Sequence, residues 1–138
     1  MAGSQRTRPY HAGAAGATSV AEAEILFSAA AARQLIATLP AGAVILKAWV
    51  QVLTAFNATV SNLVTVGSGA IGAAEADDIV ATVTEGTPGI YASVADTALL
   101  VPLTAATDVY VYYTPGAADA TTGKARAFVE FVRLAANG

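Results

Sequence analysis

The chain has 138 residues, 55% hydrophobic and 12% charged, with no cysteine and a formal net charge of -3. That length suits one domain able to bury roughly two-thirds of its unfolded surface, and the missing thiols exclude a disulfide scaffold, a zinc ribbon and a cysteine nucleophile. Lys47 breaks the apolar run from Ala41 to Val50, leaving it far short of the roughly 18 residues that cross a bilayer, so no membrane partner is expected.

The first eleven residues, MAGSQRTRPYH, carry Arg6, Arg8 and His11 and no acid, whereas the rest of the chain carries five basic and ten acidic side chains. An acidic body repels phosphate, so nucleic acid is not an expected partner. The segment that follows, AGAAGATS, has nothing large to pack and cannot offset its own ordering entropy. Residues 1–18 are therefore expected to form a flexible arm and residues 19–138 the folded domain. Such an arm is either a disordered tail or a tether that orders along a neighbouring subunit, for which Arg6, Arg8 and Tyr10 are suitable anchors. The arm lacks the Leu-, Val- or Phe-rich centre of a secretory signal, and Glu22 and Glu24 weigh against a mitochondrial one. The chain is expected to stay in the cytosol until assembly, which leaves the glycosylation pattern Asn57-Ala58-Thr59 idle.

Val20 to Phe27 alternates weakly and predicts a first strand. Ser28 to Gln34 (SAAAARQ) has high helix propensity but no large apolar stripe, so a short helix and an irregular crossover are both compatible with it. Leu35 to Leu39 then leads into the turn Pro40-Ala41-Gly42. Next comes the clearest strand, with Val44, Leu46, Ala48, Val50 and Val52 expected on one face and Lys47 and Gln51 on the other. Trp49 shares that outer face with Ile45 and Leu53, which makes it greasy. Further strands are predicted at 62–66, 79–84, 90–94, 99–103, 108–113 and 125–134, separated by GSG, EGTPG, PGAAD and TTG turns. Many short strands without room for crossover helices predict an all-β fold, a single antiparallel sandwich domain.

In the last strand, Ala127, Val129 and Phe131 point one way and Arg126, Phe128, Glu130 and Val132 the other. Val109, Val111 and Tyr113 oppose Tyr110 and Tyr112 in the same manner. Apolar residues thus occupy both parities of several strands, which predicts a homo-oligomer whose subunit interface includes Trp49, Ile45, Leu53, Tyr112, Phe128 and Val132.

Chemical motifs are thin. Gly67-Ser68-Gly69-Ala70-Ile71-Gly72 is formally a dinucleotide fingerprint after a strand. The gap from Ala73 to Asp78 is too short for the crossover helix of a βαβ unit. Glu75, Asp77 and Asp78 lack the spaced ligands of a calcium loop. His11, the sole histidine, lies in the arm, so no catalytic triad is proposed. No cofactor, metal or enzymatic activity is expected.

The run TLPAGAVILKAWVQVLTAFNATVSNLVTVGSG at 38–69 is similar to a pattern in structural proteins of tailed bacteriophages. The run TTGKARAFVEFV at 121–132 resembles the ending of the same proteins, and Thr107–Gly116 fits more loosely. The specific resemblance is to capsid decoration (cement) proteins. It implies a small sandwich, often jelly-roll-like, that associates as a trimer on the capsid exterior of the virion and binds the major capsid protein. In that setting Arg6, Arg8, Pro9, Tyr10 and His11 would form a capsid-contact arm. A trimeric tail-fibre or receptor-binding module and a head-tail adaptor are the rival roles, with Tyr91, Tyr110 and Tyr112 the hints of a glycan surface.

Overall fold

Small apolar residues alternate with glutamate from Thr18 onward, and the backbone follows that period of two. In a computed structural model, which describes residues 17–29, 32–68, 79–80, 88–92, 100–117 and 119–133, this segment is strand β1 (Thr18–Leu26). A single 3-10 turn, Phe27–Ala29, leads toward β2 (Ala32–Leu39). The helix that SAAAARQ permitted does not form. Arg33 and Gln34 instead pair with Tyr112 and Val111, and sheet pairing overrides an alanine-based propensity of a few tenths of a kcal/mol per residue. After the Pro40-Ala41-Gly42 turn come β3 (Ala43–Thr54), β4 (Asn62–Gly67), β5 (Gly89–Ala92), β6 (Thr107–Pro115) and β7 (Lys124–Arg133). The turn is closed by Ala43 N–H donating to Pro40 O at 3.1 Å, with Gly42 at φ 85°.

Among the described residues these strands form two antiparallel sheets, ordered β1-β7-β3-β5 and β2-β6-β4. The seven described strands fall alternately in one sheet and the other along the chain, and between β4 and β5 the segment Ile79–Val80 bridges back to Val66 of β4. The protein is an all-β sandwich whose core lies between the two layers. Val109, Val111 and Tyr113 fill it from β6, Ala125, Ala127 and Val129 from β7, and Val64 and Val66 from β4.

The parity expected for β3 holds for its second half only. Ala48, Val50 and Val52 are buried, but so are Ala43 and Ile45, while Val44 and Leu46 are half-buried on the outer side. A bulge between Ile45 and Lys47 inserts Leu46 as an extra residue against β7, and one inserted residue reverses every side chain before it. A second bulge lies between Val52 and Thr54, and Leu53 faces outward there, as its alternation with the buried Val52 requires.

The strand predicted at 99–103 is not one over its described part. Leu100 has φ 62°, Pro102 has no N–H, and the segment touches the start of β3 through Leu100 N–H to Ile45 O and Leu103 N–H to Ala43 O, both 2.9 Å. A left-handed residue and a missing donor prevent a continuous ladder. Of the strand predicted at 79–84, Ile79 and Val80 bridge to Val66; the remainder lies outside the described residues.

Candidate functional site

The candidate site is surface: the outer faces of the two sheets and one end of the sandwich. On the four-stranded sheet, Trp49 of β3 stands opposite Phe128 of β7. Their rings stack at 5.1 Å between centroids and 12° between planes. Lys47 lies 5.5 Å from the Trp49 ring and 3.8 Å from Glu130. Arg126 reaches Glu22 and Glu24 of β1 at 3.6 Å, and Lys124 reaches Glu24 at 3.8 Å. Pairs this exposed contribute little each. Beside them Val20 and Ile90 are 56% and 69% exposed. The aromatic pair is thus half covered by its own neighbours, and the uncovered apolar surface lies to either side of it.

The six residues expected at a subunit interface separate on this framework. Trp49, Phe128, Val132 and Leu53 share the outer face of the four-stranded sheet. Ile45 belongs to the core, because the Leu46 bulge reverses its parity. Tyr112 lies on the outer side of the other sheet, flanked by Arg33 and Thr65, and is buried together with Thr65. Next to it the Arg33 guanidinium sits 4.0 Å over the Tyr110 ring, a favourable cation–π arrangement. The Tyr110 hydroxyl and the Thr38 hydroxyl donate to Asp108 at 3.2 and 2.6 Å.

The end of the sandwich holds what sequence reasoning did not anticipate: the two runs that carried the phage resemblance meet there. Asn57 Nδ2 donates to Thr121 Oγ1 at 2.8 Å, while Asn57 Oδ1 accepts the N–H groups of Thr121 and Thr122 at 2.7 and 3.0 Å. Thr122 Oγ1 donates to Ala55 O. One step along, Asp119 accepts from the N–H and hydroxyl of Thr59 at 3.0 and 2.5 Å. Those two bonds, the hydroxyl first, hold the Asp119 carboxyl below its ordinary value. Beneath the loops Phe56 packs on Tyr113 at 4.4 Å. The Tyr113 hydroxyl donates to Asn62 Oδ1 at 2.7 Å, satisfying a buried phenol. An Asn in one turn and Thr-Thr-Gly in another were the available signals, but nothing in their spacing tells that they touch.

The arm residues Arg6, Arg8, Pro9, Tyr10 and His11 lie outside the described residues, as do Glu75, Asp77, Asp78 and the glycine loop beyond Ser68. Among the described residues no group of three His, Cys, Asp or Glu side chains is placed to hold a metal, and no helix is long and apolar enough to cross a membrane.

No protein-family model matches the sequence, and no curated protein does. Solved structures do match in fold. A chain in the capsid asymmetric unit of cyanophage Pam1 aligns with TM-score 0.58 and 23% identity over 94% of each chain. One in the acidic stable capsid of Helicobacter pylori bacteriophage KHP30 aligns with TM-score 0.64 and 18% identity, over 88% of this chain and 91% of that one. A chain in the capsid of Ralstonia phage GP4 gives 0.61 and 18%, over 95% and 93%. The likeness is end to end in each case, so this chain has, as a whole, the sandwich fold of chains found in phage capsid structures.

Proposed function

We propose that this protein is a phage capsid decoration protein. It binds the outer capsid lattice as a trimer, contacts the major capsid protein and stabilises the head without catalysis. The observation that carries the reading is the near full-length match to chains from three different phage capsids. The order β1-β7-β3-β5 against β2-β6-β4 supports the jelly-roll form of the sandwich, a double-sheet architecture of Greek keys.

The mechanism needs binding only. Three subunits give three simultaneous attachments, and the second and third occur at high effective concentration, so weak individual contacts hold for long times. Trp49, Leu53, Phe128 and Val132 supply the face between copies, with Ile45 supporting the sheets from within and Tyr112 buried on the outer side of the three-stranded sheet. Arg6, Arg8, Pro9, Tyr10 and His11 supply the arm that reaches the lattice. The test is native mass together with co-sedimentation on empty capsids. A threefold mass and saturable capsid binding are expected; a monomer that stays in the supernatant refutes the proposal.

A further inference from the structure

Among the described residues strand β1 is the edge of the four-stranded sheet, with a modest grip on the core. Its inward residues Ser19, Ala21 and Ala23 are half-buried, and only Ile25, near its far end, is fully buried. By contrast β3 buries Ala43, Ile45, Ala48, Val50 and Val52. Toward its far end alanines face it from the neighbouring strand, with Ala23 opposite Ala127 and Ile25 opposite Ala125. Residues 18–24 themselves therefore bury only a serine and two alanines, set opposite Phe131, Val129 and Ala127 of β7.

What β1 has instead is charge. Besides a backbone ladder in register with β7 from Thr18–Val132 to Leu26–Lys124, it is joined to β7 by Arg126 to Glu22, Arg126 to Glu24 and Lys124 to Glu24. All four side chains are exposed by about two-fifths or more, so salt screens them effectively: the Debye length falls from about 10 Å at 0.1 M to about 3 Å at 1 M. In a well-buried strand such pairs are a small fraction of the total. In this one, whose own inward side chains are small, their combined share is larger, although each pair is weak.

We propose that β1 is a separable strap whose hold on β7 is set by ionic strength, opening while the rest of the sandwich stays folded. Opening frees a strand continuous with residues 1–17 and bares the edge of β7, which is then able to pair with an extended segment. The inference rests on the fold and its ion pairs and not on the capsid reading.

The experiment is hydrogen–deuterium exchange of the full chain at 0.05 and 1 M NaCl. Segments within 18–24 are expected to exchange at least about tenfold faster than β3 and to accelerate a further three- to tenfold in high salt, with β3 and β6 unchanged. Arg126→Gln should raise exchange in 18–24 at low salt and remove most of the salt response. Lys47→Gln, which removes a β3–β7 pair, should do neither. Protection of 18–24 equal to that of β3, a salt-independent rate, or acceleration of all strands together overturns the proposal.

Discussion

Asn57 and Thr121 bond to each other in both directions, side-chain amide to hydroxyl at 2.8 Å and backbone N–H to amide oxygen at 2.7 Å, across 64 residues of chain. Asn57 therefore acts as a clasp between two loops. Asn57→Ala should lower unfolding stability by about 1–2 kcal/mol, the worth of two or three partly exposed hydrogen bonds. Asn57→Asp keeps the acceptor and loses the donor, so it should cost less than the alanine variant. Denaturant midpoints at unchanged slope measure both.

Gly123 sits over the Phe56 ring at φ 147°, and a Cβ there would collide with that ring. Gly123→Ala combines a disfavoured backbone with overpacking and should cost about 2–4 kcal/mol. Gly42→Ala meets no neighbour within 4 Å, only a positive φ, and should cost about 1 kcal/mol. Equal losses at the two positions would show that the Phe56 contact is unimportant.

The Asp119 carboxyl is held below its ordinary value of 3.8 by the Thr59 hydroxyl and N–H. A carboxylate with a lowered folded pKa stabilises the protein above its unfolded value and loses that contribution as pH falls through the folded one. Stability of the wild type should therefore decline below about pH 4 more steeply than that of Asp119→Asn. Thermal scans from pH 2 to 6 test this, and parallel curves would remove the Thr59–Asp119 pair from the account.

Trp49 is expected to lie in or beside the contact between copies, stacked on Phe128. Trp49→Ala should shift the native mass from trimer toward monomer, and Phe128→Ala should act in the same direction. Unchanged mass and unchanged stability for both variants would place the stack on open surface.

Deleting residues 1–16 stops short of β1, which begins at Thr18. The truncated protein should remain a folded trimer and lose capsid binding by at least tenfold in a co-sedimentation titration. Undiminished affinity would remove the arm from the mechanism.

The sandwich was legible because valine, threonine and tyrosine alternate over long stretches. The faces of β6 and β7 were assigned from parity alone, and Val109, Val111, Ala127 and Val129 are indeed buried. Parity failed where a residue was inserted. Leu46 looks like any other apolar residue, and the bulge at it, which puts Ile45 in the core, is set by pairing with β7, some eighty residues away. The Ala32–Leu39 strand was hidden by its helix-favouring alanines, and its partner β6 likewise lies far along the chain. The clasped end was illegible for the same reason: Asn57 and Thr121 each read as turn residues, and only the fold brings them together.

The place of β7 inside its sheet has a bearing on biosynthesis. In the four-stranded sheet, β7 lies between β1 and β3, so neither of those earlier strands has its inner neighbour until residues 124–133 leave the ribosome. Pairings this distant in sequence make for slow folding. A nascent chain halted before Lys124 would leave β1 and the valine-rich β3 each with an unpaired edge, an aggregation hazard that the completed strand removes in a single late step.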